Sequence, residues 1–408
     1  MNEYSCEPKS NIFIFLFHPR NGLIVFSAAI LLVYCITPLI LNIYLHNHEM
    51  LKLIAAITAV SVVAMWVGFF IPIFDYRFED QAGRLIINPQ DFIVVTWILF
   101  LTFILITFLT APTIPIISAL LGADANSLSQ ERGEFLKGRE GFGIILLYIS
   151  TFLVNTIVPY SIILLYMTKS PIRHYAAIIF FLFCISFMQK ALFLNLILPL
   201  LSFMAITKKL RGKVFFMFFL SSVMFLIMIT AISLQGEEVA SAQGEYFTAS
   251  YLPHNPFDYF LWRSIAVPIF TATDTLIVHD TQFDGRWLLG STSTLLAAIF
   301  GHERINLERI VFEYQFGSWN EIANSNSVFV VDAFVNFGWL GVLIFGLTVG
   351  QIFRLFYISK DDAFRSLWSI FAFILFSAPL IGMMLSNGFA FMLFIALFIS
   401  IQRNENHI

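Results

Sequence analysis

The sequence predicts an all-α, polytopic membrane protein, and three observations carry that prediction. Hydrophobic residues fill 59% of the 408 positions and charged residues only 12%, where a soluble domain carries about 25% charged residues. Phe alone supplies 48 positions. Several apolar runs reach the roughly 20 residues that an α-helix needs to cross a bilayer. In hydrocarbon every backbone amide must be satisfied internally, so these runs are helices.

Ten spans follow, at about 22–45, 51–74, 92–113, 143–167, 175–189, 191–207, 214–234, 337–356, 364–384 and 387–402. The first run is too long for a signal-peptide core and no small-residue cleavage site precedes it, so it is a retained helix. An even count puts both termini on one side. If that side is the cytoplasm, it holds 14 of the 23 Lys and Arg residues, although the other side has far more loop. The short loop Lys208-Lys209-Leu210-Arg211-Gly212-Lys213 is the strongest determinant and must be cytoplasmic. The chain then divides into seven helices (1–234), a large outward polar segment with amphipathic helices (235–336) and three further helices (337–408).

Some spans carry their own signals. Tyr175 to Thr207 is too long for one crossing and is interrupted only by Gln189-Lys190, which predicts two short helices meeting at Lys190 near the outer face. That lysine is either a snorkelling turn residue or a headgroup ligand. Gly346-Leu-Thr-Val-Gly350 is a small-xxx-small face suited to close helix packing. Prolines 38, 72, 112, 115, 159 and 199 are scattered, with no matched broken helices in the two halves of the kind transporters use. The three cysteines, Cys6, Cys35 and Cys184, lie outside the polar segment, so no disulfide framework or zinc spacing holds it.

Chemistry collects on the outward side. The loop 122–141 alternates charge sign, as a solvated connector does, and within it Glu131, Arg132 and Glu134 sit where an arginine can meet a lipid phosphate. The polar segment opens with an acidic exit, Gln235-Gly236-Glu237-Glu238. Tyr259 to Pro268 predicts a short apolar surface helix bearing Arg263 and stopped by Pro268.

His302-Glu303-Arg304 leads into Leu307, Ile310, Val311 and Tyr314, the i, i+3, i+4, i+7 spacing of an amphipathic helix. Arg304/Glu308 and Arg309/Glu313 are i, i+4 pairs on it. On one regular helix Arg304 and Arg309 project ~140° apart and cannot grip the same phosphate. At least one is then a helix-surface ion pair. Asn324-Ser325-Asn326-Ser327 precedes an apolar run, an N-cap signal that would present free amides to an anion. Asp332 and Asn336 share a face beyond it, and a carboxylate at that depth pairs with an arginine or acts catalytically.

No phosphate-binding Gly-rich loop, zinc spacing or Ser-centred nucleophile elbow is present, and the vicinal pair Asp361-Asp362 is cytoplasmic. Nucleotide-driven and metal-dependent chemistry is thereby disfavoured. Anion recognition by Arg and Lys, with a carboxylate or His as base, is what remains.

In these stretches the chain resembles the O-antigen polymerases. The resembling residues are Arg263-Ser-Ile-Ala-Val-Pro268 and the run from Asn324 through Asp332 and Asn336 to Gly338-Trp-Leu-Gly341. The order of elements fits too: an outer loop with Arg132, a helix pair broken at Lys190, then the large polar segment. No Arg-x10-Gly pattern starts from Arg263, Arg304 or Arg309.

The resemblance implies a multi-pass protein of the bacterial inner membrane, with a GT-C-like helical body. It implies metal-independent glycosyl transfer that needs no cofactor. The donor would be a growing glycan on undecaprenyl diphosphate and the acceptor a lipid-linked repeat unit. Membrane lipid and a chain-length regulator would be further partners, and nucleic acid would not. Arg132, Lys190, Arg263, Arg304 and Arg309 would bind the diphosphate, Glu131, His302 and Glu303 are base candidates, and Asn324, Asn326 and Asp332 would orient sugars or arginines. The alternatives are an O-antigen ligase, which shares the donor, and a transporter or flippase of a lipid-linked oligosaccharide.

Overall fold

The computed structural model describes residues 12–45, 48–76, 84–123, 125–136, 138–139, 141, 143–187, 192–233, 256–317 and 323–401. Lys190 and the acidic exit at 235–238 lie outside these residues. The described chain is mostly helical, with one two-stranded parallel pairing of Leu85–Ile87 with Ile399–Ile401. Among the described residues five helices are long and apolar enough to cross a membrane: Pro19–Tyr44, Glu49–Phe70, Pro89–Thr110, Ile145–Met167 and Phe329–Ile358. Arg173–Ser186, Leu194–Ile206, Gly212–Ile227 and Phe389–Phe398 are shorter apolar helices. The protein is a multi-pass membrane protein. The expected span at 364–384 is broken into Trp368–Leu375 and Leu380–Leu385, because Pro379 cannot donate to the preceding turn.

Three helical prolines share a device that the one-dimensional pattern hid, whereas Pro199 sits inside Leu194–Ile206 without it. Among the described residues three helices widen into a π turn, at Leu32–Ile36, Leu153–Ile157 and Trp262–Ala266. Each turn closes on a residue that precedes proline: Thr37 N–H donates to Leu32 O, Val158 N–H to Leu153 O and Val267 N–H to Trp262 O. A proline in a regular helix removes one donor and drives its ring into the carbonyl four residues back. The extra residue in the preceding turn opens that space, so the helix continues through Pro38, Pro159 and Pro268. Pro268 therefore does not stop its helix, as the sequence had suggested. It begins the segment Val267–Phe283.

The tightest packing joins Glu49–Phe70 to Phe329–Ile358, two helices that run side by side through glycines. A Cβ on Gly346 would sit 2.7 Å from Ala64 Cβ and 2.9 Å from Ser61 O, and one on Gly350 would overlap the Met65 carbonyl oxygen. Gly68 abuts the Leu347 backbone in the same way. Lipid tails are as apolar as leucine, so close backbone approach rather than apolar burial favours such a pair. The small-residue face of Gly346 and Gly350 thus does what its spacing suggested. Elsewhere phenylalanines interlock edge to face, as in Phe100–Phe183 at 5.3 Å and Phe135–Phe187 at 5.1 Å between ring centroids.

One end of the bundle is held by polar clasps. Arg354 binds both Asp75 carboxylate oxygens, and its Nη1 donates to Phe69 O at 2.7 Å. Tyr160 Oη donates to Asp361 Oδ2 at 2.6 Å and Trp368 Nε1 to Phe17 O at 2.9 Å. Phe92, beside the Leu85–Ile87 strand, stacks edge-on against Tyr160. The first and last described segments therefore share this end. The described part of the polar segment gathers at the opposite end.

Candidate functional site

The site is built around a break in the Phe329–Ile358 helix. Gly338 has φ +60° and ψ −150°, outside the helical range, and a Cβ there would meet the Trp287 indole at 2.9 Å. Only glycine takes this conformation without strain. The break separates a short first part carrying Asp332 and Asn336 from a following stretch of about 30 Å, long enough for a bilayer.

The loop between Phe283 and Thr294 lies against that first part. Leu288 N–H donates to Val335 O at 3.0 Å and Leu289 N–H to Asn336 O at 2.9 Å. Gly290 N–H donates to Asn336 Oδ1 at 2.9 Å. Left-handed backbone at Asp284, Gly285, Leu289 and Gly290 folds the loop tightly enough to reach these acceptors. Thr292 is thereby delivered to Asp332, and its Oγ1 donates to Asp332 Oδ1 at 3.0 Å. Asn336 Nδ2 donates to Thr292 Oγ1 at 2.8 Å and to Asp332 Oδ1 at 3.1 Å. Since Asn336 Oδ1 accepts from a backbone amide, the orientation of its amide group follows from the network.

A second layer supports the first. Gln315, fully buried on the helix Leu307–Phe316, donates to Asp274 Oδ2 at 2.7 Å, and its Oε1 accepts from Ser325 Oγ at 2.7 Å. Ser325 N–H donates to Glu308 O at 3.0 Å. The Asn324–Ser327 stretch is therefore an extended strap across that helix rather than a cap. The Phe329–Ile358 helix begins after Val328, and Val328 to Val331 are fully buried, so no exposed N-terminus is offered to an anion here.

These elements enclose a cavity of about 610 Å³. Its polar lining residues are Thr275, Thr292, Ser293, Ser325, Ser327, Asp332, Glu308 and Arg304, and its apolar ones include Leu295, Leu307, Val311, Ile381 and Leu385. The membrane body contributes Tyr148 and the broken segment around Pro379 and Gly382. Thr151 Oγ1 donates to Ser386 O at 2.9 Å, which ties these two parts of the body together beside the cavity. Tyr148, Leu295 and Leu385 expose large apolar surface where they line it.

The structure sorts the sequence candidates. Asp332 and Arg304 line the cavity. The helix expected to begin near His302 begins at Leu307, capped by Asn306, whose side chain accepts from Arg309 N–H. Arg304 thus lies before the helix, the expected Arg304/Glu308 pair does not form, and among the described residues Arg304 makes no ion pair. Arg309 is the helix-surface pair. It bonds Glu313 at 2.8 Å, lies over the Phe312 ring and donates to Ala323 O.

His302 and Glu303 are exposed and do not line the cavity, and neither do Asn324 and Asn326, which point outward on either side of Ser325. Arg263 is exposed on its π turn. Glu131 and Arg132 belong to the separate helix Ala125–Leu136, where Arg132 Nε donates to Leu128 O at 3.1 Å. Thr292, Glu308, Ser325, Ser327 and Tyr148 were missed as a set. Ser325 and Ser327 carried only a cap signal and Glu308 only a pairing with Arg304, while nothing along the chain marked Thr292 or Tyr148, because chain reversals bring them to Asp332. No group of His, Cys, Asp and Glu able to hold a metal occurs among the described residues.

Compared with protein-family models, with curated proteins and with solved structures, the chain matches none.

Proposed function

We propose that the protein is a glycosyltransferase of the bacterial inner membrane that polymerises oligosaccharide repeat units carried on undecaprenyl diphosphate. In this reading it has a GT-C-like body of ten spans, both termini cytoplasmic, and the cavity facing the periplasm. The observation that carries it is the mixed character of that cavity: hydroxyls, two carboxylates, apolar side chains and an arginine that makes no ion pair among the described residues. Sugars present many hydroxyls that need partners, and a lipid-linked sugar arrives with an apolar chain at the membrane edge. The apolar side chains of Tyr148, Leu295 and Leu385 suit that approach.

Arg304 is the residue for the leaving group. As the anomeric bond breaks, negative charge grows on the lipid diphosphate, and a guanidinium offers five donors in a planar fork to meet it. Because the activated bond comes with the lipid carrier, the step draws on no nucleotide. The resemblance in the 324–341 stretch supports the same reading, as does the scarcity of ionisable groups within the apolar runs.

Deleting the gene and running surface polysaccharide on a gel tests the proposal. A polymerase leaves core capped by a single repeat unit. Loss of every capped form indicates a ligase or flippase instead, and an unchanged ladder removes the protein from polysaccharide assembly.

A further inference from the structure

Resting on the polymerase reading, we infer that Asp332 is the catalytic base that takes the proton from the acceptor sugar hydroxyl. The sequence pointed to Glu131, His302 and Glu303 for this task, and none of them lines the cavity. Asp332 does. Its Oδ1 is held from two sides, by Thr292 Oγ1 at 3.0 Å and Asn336 Nδ2 at 3.1 Å. Its Oδ2 accepts no hydrogen bond from any described residue, and no described Lys or Arg nitrogen lies within ion-pairing distance.

One oxygen is therefore locked and the other is left for a ligand. That division is what a base requires, because a carboxylate bridged by an arginine on both oxygens has given away its proton affinity. The lock is itself built on the backbone. Asn336 is oriented by Gly290 N–H and aligned further by donating to Asp332 O at 2.8 Å. Thr292 spends its proton on Asp332 and its lone pair on Asn336. Among the described residues, Asp332 Oδ2 is the carboxylate oxygen that this set leaves without a hydrogen bond. Of the other charged groups lining the cavity, Arg304 sits where it can serve the diphosphate, and the Glu308 carboxylate is the rival base.

In the step so assigned, the acceptor oxygen bonds to the donor's anomeric carbon while the bond from that carbon to the diphosphate oxygen breaks. Its electron pair leaves with the lipid diphosphate, and the hydroxyl proton passes to Asp332 Oδ2 and thence to water. Asn at this position keeps an oxygen for Thr292 and Asn336 but presents an amide to the cavity, so Asp332→Asn removes the base with little cost to folding.

The test uses the full chain in detergent or liposomes, with a lipid-diphosphate-linked repeat unit as substrate and polymer length as readout. Asp332→Asn should keep the wild-type melting temperature and lower kcat by about 10²- to 10⁴-fold, the usual share of general base catalysis. Its KM should stay within about threefold, because ground-state binding is untouched. Glu308→Gln, which alters a cavity carboxylate but not the assigned base, should lower kcat at least tenfold less than Asp332→Asn does. An Asp332→Asn protein that polymerises near the wild-type rate while Arg304→Ala is inactive overturns the assignment and leaves the polymerase reading standing. Loss of turnover in Glu308→Gln with retention in Asp332→Asn transfers the role to Glu308. Wild-type protein that elongates nothing overturns both readings.

Discussion

The two parts of the Phe329–Ile358 helix, divided at Gly338, are held by opposite means. Beyond Gly338 the helix meets Glu49–Phe70 through Gly346 and Gly350, with backbones in van der Waals contact, and only at its far end do Gln351 and Arg354 add hydrogen bonds, to Gly68 O and Phe69 O. Before Gly338 it is held by hydrogen bonds from a loop, through Val335 O, Asn336 O and the Asn336 side chain. The first contact rests on shape along the glycine face and on polar atoms only at its far end. The second needs particular atoms in particular places, and it leaves one carboxylate oxygen unused. Stability in the bilayer and chemistry at its edge are thus assigned to different halves of one helix, and Gly338 keeps them apart by ending the regular ladder between them.

This contrast can be broken experimentally, beginning where the effect is largest. Gly350→Leu places a side chain into the Met65 carbonyl, and the two helices must part. The expected cost exceeds about 4 kcal/mol, the range reserved for severe overpacking. Little monodisperse protein should survive detergent extraction. A well-behaved Gly350→Leu protein would mean the glycine contact is incidental.

Arg304→Ala should leave the melting temperature unchanged and reduce polymer formation about 10²- to 10³-fold, as loss of one stabiliser of developing charge does. Full activity would move the diphosphate site to Arg263 or elsewhere. Asn336→Leu strands the Gly290 amide and removes a donor from both Thr292 and Asp332. It should cost about 1–3 kcal/mol in thermal unfolding and lower activity as well. A variant stable but inactive would sharpen the contrast, showing that this half is organised for the carboxylate more than for the fold.

The smallest effect is expected at Arg309, whose ion pair with Glu313 is partly solvated. Arg309→Met should change stability by no more than about 1 kcal/mol and leave the polysaccharide ladder intact. A lost ladder would return Arg309 to the site.

Much of the membrane body was legible in the sequence because each signal there is local. Length and apolarity mark the helices, and Gly346 and Gly350 mark a packing face at a spacing of one turn. The helix pair on either side of Gln189-Lys190 was readable for the same reason. Proline misled because its consequence depends on the turn before it. Pro268 was expected to stop a helix, yet the π turn at Trp262–Ala266 carries the chain through. A similar limit applied to Arg304, one turn short of the helix start set by Asn306.

By itself the sequence determined a helical multi-pass protein with its ionisable groups kept largely outside the apolar runs, because burial in lipid is a property of each run taken alone. It also made Asp332 and Asn336 neighbours, four residues apart on one helical face. Only tertiary structure decided that Thr292 completes their network, that Arg304 and Glu308 share their cavity, and that His302, Glu303, Asn324 and Asn326 do not. Those outcomes depend on the left-handed loop at Asp284–Gly290 and the break at Gly338. Such reversals bring together atoms some forty residues apart, and no periodicity along the chain records where they will meet.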